Sequence, residues 1–283
     1  MVEGGVPVVS SLFVYPIKSC KGVACTSLPF DRRGPRLDRR WMLVDLDGKF
    51  LTQRQNPRLG RIQPHLSPED FAREEAQLKV SASGMEDFCP PLEPHSRTEV
   101  EVWGFRGPAW DLGDECATWF SDAIGQSCRL VRFADDVQRK TSQRHTRRAS
   151  EVAFSDGYPV LLLSVESLRE LNRRLDEPVP MNRFRPNLVV RDAQPFAEDT
   201  WGEVRAPDLT LSVVKPCERC VITTIDQNTL TSDKEPLKTL AGFRRKDGAV
   251  VFGQNCVHHG TGTIRVGDAL SVFSKPAAEA SEQ

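Results

Sequence analysis

The 283-residue chain is long enough for one large or two modest domains, and its 39% hydrophobic content can fill a proper core. Lysine and arginine total 38 against 39 aspartate and glutamate residues, so the formal net charge is -1. This balance excludes a whole-chain attraction to nucleic acid or to acidic membranes, and any site for an anion must be local.

The sequence lacks the marks of a membrane span or a secretory signal. No apolar run approaches the roughly 20 residues that cross a bilayer, and no Lys or Arg precedes an apolar run near the start. We therefore predict no membrane span and a cytoplasmic location. The eight cysteines are too sparse for a secreted disulfide scaffold, which indicates reduced thiols, one of them a possible metal ligand.

The first half of the chain predicts short strands separated by turns, a pattern typical of an antiparallel, barrel-like sheet. Asp47 and Gly48 indicate a hairpin turn between two of these strands. One helix is predicted, with Asp114 as its N-cap and Gly125 as its stop. The predicted strands cover residues 11–15, 41–45, 50–53, 77–81 and 98–103.

The second half begins near residue 133, with a polar run over residues 132–148 that indicates a loop, followed by a buried strand at 160–163. Ser164 is predicted to cap a helix with an apolar stripe of Leu168, Leu171 and Leu175. A short helix is expected at 236–243, where a proline lies in the first turn. Further strands are predicted at residues 188–190, 210–214, 221–225, 249–252 and 263–266.

Cys217 and Cys220 form a Cys-x-x-Cys pair directly before the predicted strand at 221–225. The residues alone leave several interpretations open: a zinc site completed by Cys256, His258 or His259, a redox pair, or two buried thiols. A strand after the pair argues against a redox pair, which belongs at a helix start. The lack of a second spaced pair argues against zinc.

A further interpretation is a single soft thiolate that ligates a metal whose other ligands come from a cofactor, with Arg219 favouring the ionised thiol. An anionic cofactor would need cations elsewhere in the chain. Candidates stand at the edges of apolar strands, in the segments 18–19, 39–40 and 183–187. Each segment alone is better explained by a salt bridge or a solvated surface, so only their combination favours an anion site.

Six segments of the sequence closely resemble the MOSC family, in the branch that contains the mitochondrial amidoxime-reducing component and its bacterial relatives. They occur in the same order, and the resemblance extends from about residue 8 to residue 272. The segments are YPIKSCKG at 15–22, DRRW at 38–41, TQRQNPR at 52–58, FRPN at 184–187, CERCVITT at 217–224 and FGQN at 252–255.

The resemblance implies a β-rich α+β fold in two parts. A β-barrel-like MOSC N-terminal domain would cover residues 7–131, and a MOSC β-barrel domain with peripheral helices would cover residues 132–273. Residues 274–283, rich in Ala, Glu and Ser, are predicted to form a disordered tail. The two domains would enclose a molybdenum cofactor of the molybdopterin type.

The resemblance also implies the site residues, with Cys220 as the protein ligand to molybdenum. Lys18, Ser19 and Arg39 would contact the phosphate end of the pterin. The residues that would line the rest of the cofactor are Arg185, Asn187, Glu218 and Arg219. The site would further include Gly157, Tyr158 and Asn255, which stand where mitochondrial members can carry hydroxylated or aromatic residues, so the substrate pocket would differ in detail.

The implied activity is the reduction of N–O bonds in small N-hydroxylated molecules, with electrons from an external flavin reductase or cytochrome. A carrier that binds the cofactor without turnover would show the same motifs, and a zinc-stabilised binding module on Cys217 and Cys220 is a third possibility. A cofactor sulfurase is disfavoured, because the chain has no room for a pyridoxal-phosphate domain. Asp226 is predicted to hold a turn rather than to relay protons, and His258 and His259 are not assigned a role.

Overall fold

The computed structural model describes residues 5–73, 76–141 and 150–275. Strands dominate its first half, where a single longer helix lies close to the end. These elements are β1 (Val8–Val14), β2 (Val23–Cys25), β3 (Ser27–Asp31), β4 (Gly34–Pro35), β5 (Trp41–Val44), β6 (Gln63–His65), β7 (Lys79–Ser81), β8 (Ser96–Val102), β9 (Phe105–Asp111), α1 (Asp114–Ile124) and β10 (Arg129–Phe133).

The second half is again built mainly of strands, with two short helices. Its elements are β11 (Val160–Ser164), α2 (Val165–Asn172), β12 (Leu188–Arg191), β13 (Trp201–Arg205), β14 (Thr210–Glu218), α3 (Leu237–Phe243), β15 (Arg245–Lys246), β16 (Ala249–His259), β17 (Gly262–Arg265) and β18 (Ser271–Ser274). The predicted β-rich α+β class is confirmed. No helix of the described residues combines the length and apolar character needed to cross a membrane.

The largest sheet draws on both ends of the chain. Its order is β18-β13-β14-β16-β11-β12-β1-β2, with β15 attached to β16. Strand β11 pairs in parallel with β12, and β1 pairs antiparallel with β12, so the first strand lies within the sheet of the second half. Among the described residues this sheet follows an open path and does not close into a barrel.

Smaller sheets complete the fold around a large buried core. Strands β5, β10, β9 and β8 form one sheet, in the order β5-β10-β9-β8. Strand β17 of the second half pairs with β3 of the first, which ties the halves together a second time. The main cluster of buried side chains includes Leu12, Leu43, Leu130 and Leu162, and so spans both halves. The proposed division at residues 131 and 132 stays a prediction.

The ends of α1 and α2 show which of the predicted helix-capping residues are correct. Gly125 ends α1 with a left-handed φ of 67°, as predicted for a glycine stop, but the N-cap is Gly113 and Asp114 is the first helical residue. A negatively charged aspartate at this position still stabilises the helix, because it lies near the positive end of the helix dipole. Ser164 caps α2 as predicted, because its hydroxyl accepts the Ser167 amide at 3.0 Å. Helix α2 ends at Asn172, so Leu175 lies beyond it.

The predicted strand at residues 221–225 is wrong, because the structure has a 3-10 helix at Val221–Thr224. Its β-branched residues favour strands, but two threonine hydroxyls bond back to the chain. Thr223 donates to the Cys220 carbonyl at 2.9 Å, and Thr224 donates to the Val221 carbonyl at 2.8 Å. Since no strand follows Cys220, the local structure gives no such ground against a redox pair.

Other boundaries also differ from the prediction. The predicted loop at 132–148 begins inside β10, where Arg132 pairs with Trp41, and residues 142–149 lie outside the described residues. Residues 50–53 form no strand, and only the bridge between Val44 and Phe50 is present there. Ser274 lies in β18 rather than in a tail, while residues 276–283 lie outside the described part of the chain.

Candidate functional site

One cleft brings together segments that are far apart in the sequence. It lies between the turn after β1, the residues before β5, the 155–158 segment before β11, the residues before β12 and the end of β14. Its enclosed part has a volume of about 170 Å³, and one side is open to solvent. Every predicted site residue lines this cleft: Lys18, Ser19, Arg39, Gly157, Tyr158, Arg185, Asn187, Glu218, Arg219, Cys220 and Asn255.

Arg39 and Arg185 share a buried tyrosine. The guanidinium carbons of Arg39 and Arg185 lie 4.4 and 4.2 Å from the centre of the Tyr15 ring. Burial raises the pKa of Tyr15 to about 12 although both arginines oppose the shift, so the phenol is neutral. The ring therefore positions two cations through cation–π contact, without adding a negative charge that would neutralise them.

Asp38 and Asn187 fix Tyr15 and Arg39 in place through hydrogen bonds. Asp38 accepts the Tyr15 amide at 2.8 Å, the Asn187 side-chain amide at 3.0 Å and the Arg39 guanidinium at 2.6 Å. Asn187 also accepts the Leu161 amide at 3.2 Å, which links β11 to the group. Because Asp38 is almost fully buried, the network is satisfied internally and holds Arg39 in one position.

Arg185 retains an unused buried donor. Its Nη1 donates to the Cys20 carbonyl at 2.6 Å, whereas its buried Nη2 has no hydrogen-bond partner among the described residues. Burial and the nearby Arg39 charge lower the pKa of Arg185. A buried donor without a partner costs free energy, on the order of 1–3 kcal/mol. An anion in the cleft would supply the missing acceptor.

Lys18, Arg39 and Arg185 form one wall of the cleft, the cationic wall. The backbone of this wall adopts an uncommon conformation. Non-glycine residues with positive φ cluster in this cleft, and such residues are expected where function demands a fixed geometry. They are Ser19 (66°), Arg39 (48°), Trp103 (54°) and Arg185 (55°). Ser19 is held in place because the buried Gln53 side chain donates to its carbonyl at 2.7 Å.

Lys18 forms an ion pair with Asp156 inside the cleft. Its ammonium group also donates to the Phe154 carbonyl at 2.9 Å. Burial lowers the pKa of Lys18 against the opposing effect of Asp156. Desolvation by the surrounding protein acts to raise the pKa of Asp156. The Lys18 charge and the hydrogen bond from the Trp103 indole, at 3.0 Å, outweigh desolvation and lower this pKa. Asp156 is therefore ionised, and its side chain is 74% exposed.

The opposite wall carries the two cysteines at the end of β14. Cys220 is exposed and is the N-cap of the 3-10 helix, and Cys217 is half-buried, which raises the pKa of the Cys217 thiol. Arg219 stands between them but donates to the carbonyls of Phe252 at 2.8 Å and Phe184 at 3.0 Å. Arg219 thus fixes the position of the cysteines, and much of its donor capacity is already engaged.

The sequence missed several cleft residues. Thr52, Arg54, Phe184 and Thr223 lie inside the quoted segments, which was the only available signal. Trp103 and Asp156 lie in turns and gave no signal, because their proximity arises only when β8 and β11 are in place. Ile222 and Cys217 also lie inside a quoted segment and Arg183 inside the candidate cation segment 183–187, but none of them was assigned to the cofactor site, and neither were Ser155 and Leu161.

The groups suggested for zinc are not brought together. His258 lies opposite Leu211 on β14, six residues from Cys217, a separation of roughly 20 Å along a strand. His258 donates to the Gly260 carbonyl at 2.8 Å, and His259 pairs with Ser212 at 2.7 Å. Within the described residues, no three His, Cys, Asp or Glu side chains are grouped so as to hold a metal ion.

Asp226 holds a turn just after the 3-10 helix, as predicted. One of its oxygens accepts the amides of Asn228 and Thr229, both at 2.8 Å, and the other accepts Arg183 at 2.7 Å. The two amides, ahead of Arg183, lower the pKa of Asp226 to about 2. It is therefore a structural carboxylate at the edge of the cleft.

Comparisons with known proteins match nearly the whole chain. A model of the MOSC N-terminal beta barrel domain matches residues 6–127, and a model of the MOSC domain matches residues 149–271. Mitochondrial amidoxime-reducing component 1 of Mus musculus is 37% identical over 94% of this chain and 82% of its own length. The Homo sapiens protein of that name is 34% identical over 94% and 83%. Molybdenum cofactor sulfurase of Oryza sativa subsp. japonica is 33% identical over 86% of this chain but only 31% of its own length.

Proposed function

The chain belongs to the MOSC family, in the branch of the amidoxime-reducing components, and from this premise we propose that it is a molybdenum-cofactor-dependent reductase of small N-hydroxylated molecules. The observation that carries the proposal is the cleft itself. An exposed thiol, Cys220, faces the same space as three cations, of which Arg185 has a buried donor that finds no partner in the described part of the chain.

The residues present fit the molybdenum cofactor. Its phosphate requires cations that are already desolvated, and Lys18, Arg39 and Arg185 meet this requirement. Molybdenum bound to pterin sulfurs prefers a further soft ligand, for which the Cys220 thiolate is suited. We assign the remaining contacts to Ser19, Asn187, Glu218, Arg219, Gly157, Tyr158 and Asn255, all of which line the cleft.

These assignments give the cofactor and the residues of the chain separate roles. When bound, the molybdenum cofactor supplies the two-electron chemistry that breaks the N–O bond. The chain's own residues hold the phosphate, fix the thiol and keep one side of the cleft open for a small substrate. Arg219 is a positioning residue, since its donors hold the carbonyls on either side of the cysteine segment.

The complete reaction consumes two electrons and two protons and releases the reduced nitrogen compound and water. We propose that the electrons come from another protein of the flavin reductase or cytochrome type. A cytoplasmic location stays a prediction, because the similar amidoxime-reducing components are named mitochondrial.

The test is metal analysis combined with turnover. Protein expressed with molybdate is expected to contain molybdenum and pterin, and to reduce benzamidoxime with a chemical electron donor. Full cofactor loading without turnover would favour a carrier instead. Stoichiometric zinc without molybdenum would favour the zinc-stabilised module and contradict the proposal.

A further inference from the structure

Two arginines that reach in opposite directions tie the chain around Cys220 to the chain before β12. Arg219, directly before Cys220, donates through Nη1 to the Phe184 carbonyl at 3.0 Å. Arg183, directly before Phe184, donates through Nη1 to the Thr223 carbonyl at 3.3 Å. Each of the two segments thus supplies one guanidinium and one carbonyl. We call these two contacts, made by Arg183 and Arg219, the arginine clasp.

A buried ion pair fixes Arg183 in place. Its side chain is only 11% exposed, and its Nη2 donates to one Asp226 oxygen at 2.7 Å. The other oxygen of Asp226 accepts the amides of Asn228 and Thr229, both at 2.8 Å, so the turn holds the carboxylate. Because Nη1 and Nη2 belong to one planar guanidinium, the ion pair also orients Nη1 towards Thr223.

The arginine clasp acts on Cys220 through Thr223. The Thr223 amide and hydroxyl both donate to the Cys220 carbonyl, at 3.1 and 2.9 Å. Cys220 is the N-cap of the 3-10 helix, and the Thr223 carbonyl that accepts Arg183 belongs to the same short helix. Arg183 therefore holds the turn after Cys220, while Arg219 holds the chain directly before it.

The arginine clasp also connects the two ends of the proposed cofactor site. Arg185, which we assign to the phosphate, follows Arg183 by two residues, and its bond to the Cys20 carbonyl at 2.6 Å fixes its position. A cofactor of fixed size reaches its metal ligand and its phosphate partners together only if their separation matches it. A misplacement of about 1 Å lowers the rate of an oriented reaction by up to about 100-fold.

We propose that Arg183 is a positioning residue, which holds the Cys220 thiol at the separation from Arg185 that the molybdenum cofactor requires. The inference rests on the proposed function and adds a residue on which the placement of the thiol depends. Arg183 acts through Thr223 and needs no contact with the substrate.

The chain offers a matched control for the ion pair of Arg183. Arg244 pairs with Asp199 at 2.7 Å, its side chain is 14% exposed, and it lies outside the cleft lining. Arg244→Gln therefore removes an ion pair of similar burial away from Cys220. Arg183→Lys keeps the charge that pairs with Asp226 but lacks the forked guanidinium, so it should restore part of what Arg183→Gln loses.

The first measurement is hydrogen exchange, followed by mass spectrometry, on the cofactor-free full-length chain. We expect Arg183→Gln to raise the exchange rate of peptides that cover residues 220–225 about tenfold, because the 3-10 helix then opens more often. Arg244→Gln should leave these peptides at the wild-type rate. Unchanged exchange in Arg183→Gln would overturn the proposal. Asp226→Asn, which removes the partner of Arg183, gives a second test should Arg183→Gln not fold.

The second measurement compares the molybdenum-loaded variants at equal metal content. We expect Arg183→Gln to shift the electron paramagnetic resonance spectrum of molybdenum. It should also lower kcat for benzamidoxime about tenfold with little change in KM, since the thiol is displaced and the substrate is not. A wild-type spectrum and kcat in Arg183→Gln, or equal changes in Arg244→Gln, would overturn the positioning role.

The two measurements separate this inference from the proposed function. Wild-type protein that takes up no molybdenum would overturn the proposed function, and with it the role of Arg183 towards the cofactor. Wild-type protein that takes up molybdenum and turns over, together with an Arg183→Gln variant that matches it in exchange, spectrum and kcat, would overturn the inference alone.

Discussion

The two walls of the Cys220 cleft are built in different ways. On one wall, Arg39 and Arg185 lie on left-handed backbone and pack against a buried tyrosine that Asp38 anchors. On the other wall, Cys220 follows the end of β14 and presents an exposed side chain. The contrast indicates that the anion-binding side is fixed before any ligand arrives, while the thiol side stays accessible to a metal and its substrate.

The largest effect on activity is expected on the wall that carries Cys220, the thiol wall. Cys220→Ser should lower benzamidoxime reduction by on the order of 100-fold or more, because a soft ligand is replaced by a hard one. Cys217→Ala is the matched control and should retain most of the activity. Steady-state rates with a chemical reductant, normalised to molybdenum content, measure both variants. Equal losses of activity in the two variants would contradict the assignment of Cys220, rather than Cys217, as the metal ligand.

The next effect concerns the stability of the cationic wall without cofactor. Asp38→Asn removes the charge that accepts Tyr15, Arg39 and Asn187, and should lower the free energy of unfolding by about 2–3 kcal/mol. Glu218→Gln on the opposite wall is the control, because this exposed residue should contribute little. Urea denaturation measures both variants. Similar losses would contradict the claim that the Asp38 network holds the cationic wall in place without a ligand.

A smaller effect is expected for cofactor retention. Arg185→Gln removes a charge-assisted donor to the phosphate, so the molybdenum content after gel filtration should fall by about tenfold. Arg205→Gln serves as the control, since Arg205 lies outside the cleft. Unchanged molybdenum and pterin content in Arg185→Gln would sink its assignment to the phosphate.

The smallest effect concerns the turn that follows the thiol wall. The folded pKa of Asp226 is about 2, below the value near 4 in unfolded chains, so its contribution is present above about pH 4 and is lost as pH falls through about 2. Asp226→Asn should therefore be slightly less stable than the wild type at neutral pH, and the gap should close in acid. Thermal unfolding at pH 6, 4 and 2 measures it, and a gap that widens in acid would contradict this sign.

The sequence predicted the members of the cleft better than their local structure. Lys18, Arg39, Arg185 and Cys220 are distant along the chain, yet the ordered segments that they share with the MOSC family placed them in one site, and the structure brings them to one cleft. The strand predicted after Cys220 was wrong, because threonine hydroxyls that bond back to carbonyls override the β-propensity of branched residues.

Other features could not be read from the sequence for a physical reason. The hydrogen bond from Trp103 to Asp156 joins two turns whose meeting depends on the whole sheet arrangement. The hydrogen bonds by which Arg219 holds the Phe184 and Phe252 carbonyls were not predicted, because only packing brings these carbonyls near. That Arg185 Nη2 has no partner within the described ranges likewise depends on what surrounds it, and not on its residue type.

The most direct test of the central claim is X-ray absorption at the molybdenum edge of purified wild-type protein and of Cys220→Ser at equal cofactor loading. We predict that the variant loses one sulfur neighbour of molybdenum relative to the wild type, while Cys217→Ala keeps the wild-type sulfur shell. An unchanged sulfur shell in Cys220→Ser would show that the Cys220 thiolate does not bind the metal.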